Sequence, residues 1–420
     1  MSGSSPAQPR GLPFRVTFLL AVAVFINYVD RGNLATAGPL LKGELGLSNF
    51  QFGLLGSAFF MSYAPLQPVA GWLAQRFDVR YVLAVGLVIW ALATVLAGFA
   101  TSFAMLLALR LLLGVGESVT YPSNSKLLGQ RAPEHQRGRA NGVIAACQAL
   151  GPTFGTLVGG LVMAKFGWRA AFIAFGLASL LWLLPWFFVT RGGAATYGGE
   201  HGAPLPYLAL LRKRAIWGSS LGQFCSTYSY YFVLTWLPLI LVKAYGYSVP
   251  VMAQIGAGVY AIHAASSALM GWTSDRWIMA GASANRVRKT LLVSGLIGIA
   301  AVMMVCASAV STSAVLLLAA TAALHGTQTP NIFAIAQTLG GPRAAGQWMG
   351  VQNLVGNLAG VIAPALTGFV VDRTGEYYWA FAIAAGIALL GSLAFGVLIP
   401  RIEAVEWHTD PVRVRKSGPQ

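Results

Sequence analysis

Charged side chains are scarce in this chain of 420 residues, where they make up only 10% of the composition. Soluble globular domains carry about 25% charged residues. Hydrophobic residues account for 56% of the chain, which is more apolar surface than a water-soluble fold could cover. The composition therefore argues against a soluble enzyme and indicates a protein that lies in a membrane.

Signals of several other protein classes are also missing. The three cysteines lie within apolar stretches, so we expect no disulfide framework. No GxxxxGK[ST] phosphate loop is present, which argues against ATP-driven transport. The five histidines show no metal spacing, no catalytic triad stands out, and the first apolar run is too long for a cleavable signal peptide. We predict no enzyme activity, no metal and no cofactor.

Apolar stretches of roughly 20 residues follow one another along nearly the whole chain, each long enough to cross a hydrocarbon layer about 30 Å thick. Glycine and proline are frequent inside them, as membrane helices tolerate. The pattern predicts an all-α polytopic membrane protein with twelve spans at residues 16–38, 51–74, 80–100, 103–126, 139–163, 168–190, 217–242, 251–272, 290–309, 313–338, 346–371 and 378–400.

The net charge of +16 raises the question of nucleic-acid binding. Such binding needs basic residues gathered on one folded domain, whereas here they are scattered over short loops and tails. With the N-terminus inside, the outer loops hold few of them, namely Lys42, Lys165, Arg169, Lys243 and Arg373. This asymmetry predicts that both termini are cytoplasmic and that nucleic acid is not a partner.

The longest polar interruption divides the chain into two similar halves. We predict a tail at 1–15, a six-helix bundle at 16–190, a cytoplasmic linker at 191–216, a second bundle at 217–400 and a tail at 401–420. The sequence GWLAQR follows span 2, and GWTSDR follows span 8 at the corresponding place. Parallel repeats of six spans are typical of transporters that bind their substrate between the halves.

Four charged residues lie deep inside predicted spans: Asp30 and Arg31 in span 1, and Arg110 and Glu117 in span 4. An unpaired ion at the bilayer centre costs about 2.5–3.5 kcal/mol on the lenient insertion scale, so such groups face a polar cavity, pair or become neutral. Arg110 and Glu117 lie two turns apart on one helix face. Adjacent Asp30 and Arg31 point about 100° apart.

These ions have two interpretations. They form buried salt bridges that lock spans 1 and 4, or they form an anion site joined to a proton site. We favour the second, because buried ion pairs stabilise only weakly. A guanidinium binds a carboxylate through two hydrogen bonds, and a carboxyl in an apolar cavity takes up and releases protons. Arg110 is expected to pair with Glu117 when that acid is ionised.

Other polar or aromatic side chains inside spans suit either interhelical hydrogen bonds or contacts to a ligand. For His263 and His325, which also lie within spans, ordinary helix packing is the favoured interpretation. The candidates for substrate contacts are Arg31, Arg110, Tyr28, Tyr63, Gln148, Tyr231, Trp236, Asn353 and Asn357.

Five segments resemble the anion:cation symporter family of the major facilitator superfamily. They are INYVDRGNLA (26–35), RLLLGVGESVTYPSNSKLL (110–128), GWRAAF (167–172), YYFVLTWLPLIL (230–241) and NLVGNLAGVIAP (353–364). The resemblance covers residues 15–400. It implies proton-coupled uptake of a small organic anion, such as a sugar acid, through the inner membrane by a monomer. It also implies that Asp30 and Glu117 carry protons and that Arg31 holds the substrate carboxylate.

The loop GWLAQRFDVR (71–80) resembles the motif between spans 2 and 3 of that superfamily, and GWTSDR (271–276) resembles its echo in the second half. The usual Asp of the motif is Gln75 here, and its following Gly is Asp78. Gln75 keeps only a hydrogen bond, unless Asp78 substitutes for the missing carboxylate. The motifs imply gating roles for Gly71, Gln75, Arg76, Asp78, Arg80, Asp275 and Arg276.

Several alternatives stay open at this point. The chain could be a membrane receptor or scaffold that transports nothing, or a uniporter or exchanger. A spinster-like lysolipid exporter shares the span-1 Asp-Arg pair and the span-4 pattern. The carboxylate itself is not determined, because the aromatic residues of span 7 suit a ring and the amides suit a polyol.

Overall fold

The structure is a computed structural model that describes residues 13–47, 49–191, 204–239, 249–307 and 311–407. Its regular elements are all helices. They are α1 (Phe14–Leu45), α2 (Asn49–Arg76), α3 (Val79–Ala97), α4 (Phe103–Glu117), α5 (Thr120–Arg131), α6 (Glu134–Leu180), α7 (Leu183–Thr190), α8 (Tyr207–Leu211), α9 (Arg214–Leu239), α10 (Val249–Met279), α11 (Ala284–Cys306), α12 (Ser311–Thr374) and α13 (Tyr378–Leu393), which ends in a π-helical turn, Ala394–Leu398.

Two of these helices each contain two predicted spans. Within α6 the chain turns at Gly167, with φ 82°, and within α12 it turns at Gly341, with φ 59°. Glycine adopts these backbone conformations without a steric penalty. The turns separate span 5 from span 6 and span 10 from span 11, so the prediction of twelve spans is confirmed. In both places the two spans are joined by a turn at one glycine and not by a longer loop.

The predicted domain boundaries stay predictions. Part of the linker at 191–216 lies outside the described residues, as do most of both predicted tails. The second part of the linker forms the short helix α8.

The outer surface of the bundle is strongly apolar. Phe14, Leu161, Leu184 and Phe188 are each between 69% and 73% exposed, whereas soluble monomers rarely expose large apolar patches. Among the described residues, six helical segments are long and apolar enough to cross a membrane, and they cover predicted spans 3–6 and 9–12. Spans 1, 2, 7 and 8 are not among these six segments.

The two halves meet through symmetry-related helix pairs. Across the halves, α2 packs on the second part of α12, and α10 packs on the first part of α6. At the first crossing, a Cβ on Gly71 would lie 2.7 Å from the Gly346 carbonyl oxygen; at the second, Gly271 lies against Gly138 just as closely. Both crossings lie at the end of the bundle that carries residues 13, 132 and 407, here named the terminal end.

The close approach at Gly271 is open to a direct test. Gly271→Val should push α10 away from α6, because no space exists for a side chain against the Gly138 carbonyl. We expect a longer distance between spin labels at Phe77 and Arg286, on opposite halves of the terminal end, in a background without the native cysteines. Gly258→Val, on the same helix with open space around it, is the control. Equal label distances in both variants would contradict this packing.

Candidate functional site

A central cavity lies between the two halves. It encloses about 640 Å³ of space, including its opening, and its wall is mostly polar or aromatic. Spans from both halves contribute to it, as expected for a site at the interface of two repeats. Its lining includes Tyr28, Tyr63, Tyr121, Gln148, Gln223, Ser226, Thr227, Tyr230, Tyr231, His263, His325, Thr329, Phe333, Asn353 and Asn357.

An ion pair lies behind this wall in the N-terminal half. Arg31 Nε on α1 donates to Glu117 Oε2 on α4 at 2.8 Å. Glu117 is fully buried, and the Arg31 side chain keeps 12% of its exposure. Only one oxygen of the acid is used, since Glu117 Oε1 and Arg31 Nη2 are both buried without a hydrogen-bond partner among the described residues. The pair therefore has unused hydrogen-bonding capacity on both sides.

Aromatic rings enclose the Arg31 guanidinium. Its central carbon lies 4.5 Å from the ring centroids of Tyr28 and Phe59 and 4.6 Å from that of Tyr63. Such cation–π contacts stabilise a cation that is removed from water. Tyr28 and Tyr63 also line the central cavity, so Arg31 lies directly behind the cavity wall.

Asp30 faces a different space from its neighbour Arg31. It lines a small cavity together with Thr94 and Arg110, among apolar side chains of α1, α3 and α4. Asp30 is 3% exposed, and neither carboxyl oxygen has a hydrogen-bond partner among the described residues. The expected divergence of these two adjacent side chains is therefore present, with Asp30 inside the N-terminal half.

The expected pair of Arg110 with Glu117 is wrong for this conformation. Arg110 Nε donates to the Leu55 carbonyl at 3.2 Å, and Glu117 pairs with Arg31. Seven residues of one helix span about 10 Å along the axis, so two groups on the same face stay apart, whereas the Arg31 side chain reaches Glu117 from α1. None of the four ions lines the central cavity directly; Arg31 comes nearest.

Most of the predicted polar contacts do line the cavity, namely Tyr28, Tyr63, Gln148, Tyr231, Asn353 and Asn357. Gln148 Oε1 accepts a hydrogen bond of 2.6 Å from the Tyr121 hydroxyl. Asn353 accepts one of 2.8 Å from Gln223 and donates one of 3.3 Å to Gln67. Trp236 lies on α9, but its side chain is outside the described residues.

Several residues of the cavity wall were not predicted from the sequence, and helical spacing is the signal that could have found them. Gln223, Thr227 and Tyr230 recur every three or four residues on α9, and His325 and Thr329 are four apart on α12. Each alone was indistinguishable from a residue that packs between helices.

The terminal end is closed by contacts between the halves. Gln75 Nε2 donates to the Arg343 carbonyl at 2.5 Å, and Asp275 accepts from the backbone N–H groups of Gly138 and Arg139 at 2.9 and 2.6 Å. Each residue thus reaches the start of a span in the opposite half. The motif of the second half contacts the opposite half through the carboxylate of Asp275, while the motif of the first half does so through the amide of Gln75.

For the other residues implied by the loop motifs, the contacts that the structure describes stay within one half. Asp78 accepts from the Arg80 backbone N–H at 2.9 Å, which caps the start of α3, and pairs with the Arg80 side chain at 2.6 Å. Asp78 therefore does not substitute for the missing carboxylate at position 75. Arg276 lies 4.4 Å from the centroid of the Trp272 ring, and Arg76 is exposed in the last turn of α2.

Glu134 joins the halves at the same end, a role that its position in a polar loop did not indicate. Its carboxylate accepts from Arg137 at 2.7 Å, from Arg288 at 2.8 Å and from the Thr338 hydroxyl at 2.7 Å. Burial raises the pKa of Glu134, but the two guanidiniums outweigh it and leave the pKa below its usual value. Arg288 and Thr338 belong to the C-terminal half, so an ionised Glu134 stabilises closure.

Asp275 should make this closure depend on pH. The predicted span 251–272 ends before it, and burial raises its pKa to about 6 despite the N–H groups it accepts from. An acid with a raised pKa binds its proton more tightly in the closed arrangement than when hydrated, so acidification favours closure as pH falls through about 6. Protonation of Glu134 would weaken closure, but its pKa is lowered, so this opposing effect occurs only at more acidic pH.

We predict that the closed fraction rises between pH 7.5 and pH 5, measured by spin labels at Phe77 and Arg286. Asp275→Asn should flatten this part of the profile, because the amide does not titrate. The difference between the two profiles belongs to Asp275, since every other acid is common to both proteins. Superimposable profiles would show that Asp275 does not control closure.

Two six-helix halves, an apolar outer surface, one closed end and a polar cavity between the halves define a membrane transporter. The family model described as Major Facilitator Superfamily matches residues 20–280 and 278–419. The chain belongs to this superfamily, and it is a transporter and not an enzyme.

Curated relatives match over nearly the whole chain. The "Probable sulfoacetate transporter SauU" of Cupriavidus necator is 32% identical, over 90% of this chain and 91% of the relative. The "Hexuronate transporter" of Bacillus subtilis is 29% identical, over 90% and 93%. The "Probable L-galactonate transporter" of Escherichia coli is 27% identical, over 95% and 94%. These relatives are named as transporters of organic anions.

Solved structures share the fold. The proton:xylose symporter XylE matches with a TM-score of 0.76 at 15% identity, over 93% of this chain and 96% of that one. The human organic anion transporter MFSD10 matches with a TM-score of 0.71 at 17% identity, over 91% and 100%. At these identities the likeness shows the fold alone, and it confirms the expected twelve-helix architecture.

Proposed function

We propose that the protein is a proton-coupled symporter that takes up a small organic carboxylate by alternating access. The observation that carries this proposal is the Arg31–Glu117 pair directly behind the cavity wall. While Glu117 is ionised it occupies Arg31 Nε. A proton on Glu117 removes the charge that holds the guanidinium, which frees Arg31 for a cargo carboxylate. Proton binding and anion binding are thereby linked.

The surroundings of Arg31 suit this exchange of partners. Nη2 has no hydrogen-bond partner among the described residues, and the rings of Tyr28, Phe59 and Tyr63 keep the guanidinium in place. A carboxylate that passes between Tyr28 and Tyr63 meets a donor fork that matches its two oxygens. Because the site is screened from water, the charge interaction is stronger there than at a surface.

Asp30 serves as the second proton carrier in this proposal. An ionised carboxylate without hydrogen bonds in an apolar cavity is strongly disfavoured, so Asp30 holds a proton in the present conformation. Arg110 shares its small cavity. When the two side chains approach each other within the N-terminal half during the cycle, the guanidinium favours release of that proton.

Because the terminal end is closed, this conformation belongs to the part of the transport cycle before cargo is released at that end. Loading occurs from the opposite side, and release requires that the Gln75, Asp275 and Glu134 contacts break. The distribution of basic residues supports an inner-membrane location with cytoplasmic termini. The protein acts as a monomer in membrane lipid, with the proton gradient as its energy source and no cofactor. The anion transporters among its relatives support the class of cargo.

Glu117→Gln separates coupling from binding. The amide cannot carry the proton, so we expect that reconstituted vesicles retain carboxylate binding and exchange but lose accumulation driven by a pH gradient. Glu376→Gln, at an exposed acid near the opposite end, is the control and should accumulate cargo normally. Accumulation by the Glu117→Gln protein at the wild-type level would remove Glu117 from proton coupling. If the wild-type protein exchanges cargo but ignores the pH gradient, it is an exchanger or uniporter.

Arg31→Lys tests the anion site. Lysine keeps the charge but loses the planar fork, so carboxylate affinity should fall roughly ten- to hundredfold, in line with about 1.5–3 kcal/mol for a hydrogen bond to a charged group. Arg110→Lys is the comparison, because Arg110 lines the small cavity of Asp30, and it should leave the Kd near the wild-type value. Calorimetry on purified protein measures both. An unchanged Kd for Arg31→Lys would place the carboxylate elsewhere.

A further inference from the structure

The second part of the linker contacts both halves of the transporter, and the proposed function leaves it without a role. Its residues 204–207, which read PLPY, are here named the linker segment. The segment lies beside the crossing of α2 with the second part of α12, where Gly71 meets Gly346 and Gln347. This crossing belongs to the closed terminal end, so the halves must separate there before cargo is released.

The beginning of the linker segment is held by the C-terminal half. Gln347 on α12 is fully buried, and its Nε2 donates to the Leu205 carbonyl at 2.8 Å. Its Oε1 accepts from the Leu205 backbone N–H at 3.0 Å. A residue that precedes a proline favours the extended conformation, in which its N–H and C=O point to the same side. One side chain can therefore bind both groups of Leu205.

The end of the linker segment reaches the N-terminal half. The Tyr207 hydroxyl donates to the Pro68 carbonyl on α2. Tyr207 lies outside the predicted spans, and burial raises its pKa to about 12, although the Gln347 side chain and the Trp72 backbone N–H act in the opposite direction. The hydroxyl therefore keeps its proton at physiological pH. Unlike the contact of Asp275, this contact does not respond to acidification.

The two contacts lie too close together along the chain to survive a separation of the halves. Leu205 and Tyr207 are two residues apart, and two residues span at most about 7 Å when fully extended. Pro206 between them has a fixed φ angle, which leaves little slack. Release of cargo requires that Gln75 on α2 leaves the Arg343 carbonyl on α12. Because these are the same two helices, opening must also break one contact of the linker segment.

The Tyr207 contact is the one that should break. It is a single hydrogen bond, whereas Gln347 holds Leu205 through two. The linker segment also continues through α8 into α9, so the chain itself keeps it on the C-terminal half.

We propose that the linker segment is a latch that holds the terminal end closed, with Leu205 anchored on α12 and Tyr207 as the releasable contact to α2. The inference rests on the alternating access of the proposed function. A hydrogen bond between a hydroxyl and a carbonyl contributes only modestly to stability, so the latch can open and close again in every transport cycle.

Tyr207→Phe removes the hydroxyl and keeps the ring. We expect that the ratio of open to closed protein at the terminal end rises roughly three- to tenfold at pH 7.5. Spin labels at Phe77 and Arg286, in the background without the native cysteines, measure this ratio in purified protein with and without L-galactonate. Tyr378→Phe, at an exposed tyrosine near the opposite end that packs on Trp379, is the control and should match the wild-type protein.

A second substitution tests whether both contacts belong to one latch. Gln347→Met keeps the length of the side chain but removes both hydrogen bonds to Leu205, so the segment is no longer held on α12. Because the two contacts act in series, Tyr207→Phe should open the end no further when Gln347→Met is already present. Gln75→Met removes a separate contact between the same helices, so its effect should add to that of Tyr207→Phe.

Two results would overturn the latch. One is a Tyr207→Phe protein with the wild-type ratio of open to closed protein, while the wild type itself shows both distances. The other is that the effects of Tyr207→Phe and Gln347→Met add in the double variant. In both cases the terminal end still opens, so the proposed function stands. If every protein, wild type included, shows only the closed distance with and without L-galactonate, alternating access is wrong and both proposals fail.

Discussion

A guanidinium that is removed from water needs an opposite charge and favourable contacts on its faces. Arg31 obtains these from residues of three helices. Glu117 on α4 balances its charge, and the rings of Tyr28, Phe59 and Tyr63 cover the faces that water would occupy. These partners come from α1, α2 and α4, so the need to satisfy one cation brings three spans of the first half together. The compensation is incomplete at Nη2 and Glu117 Oε1, and this unused capacity makes the site available to cargo and protons.

The closed terminal end uses symmetry in a similar way. The helix that ends in each GW motif crosses the start of a span in the other half, and glycines at the crossing allow the backbones to approach closely. In the second half Asp275 accepts from backbone N–H groups at the start of α6, while in the first half Gln75 donates to a carbonyl near Gly341. Because the two contacts differ in charge, the two sides of the closure respond differently to pH.

Part of the site was predictable from the sequence, and part was not. Asp30, Arg31, Arg110 and Glu117 could be found because an ion inside an apolar run is costly wherever the helix faces. Tyr28, Tyr63 and Asn353 were predicted as cavity residues and do line the cavity. His263 and His325 were assigned to ordinary packing, because a single imidazole in a span has no distinctive pattern. Glu134 resembled any loop acid until Arg288, 154 residues away, proved to be its partner.

By itself the sequence determined the class of protein, the twelve spans and the two repeats, because apolar length and loop charge are local properties that a bilayer constrains strongly. The glycines at which α6 and α12 turn lie in the gaps between the predicted spans. Only the tertiary structure decided which acid each arginine meets. Helical periodicity gives the direction in which a side chain points, but not which side chain of another helix lies at the same depth. The packing of the helices placed Glu117 beside Arg31 and left Asp30 and Arg110 in a separate cavity.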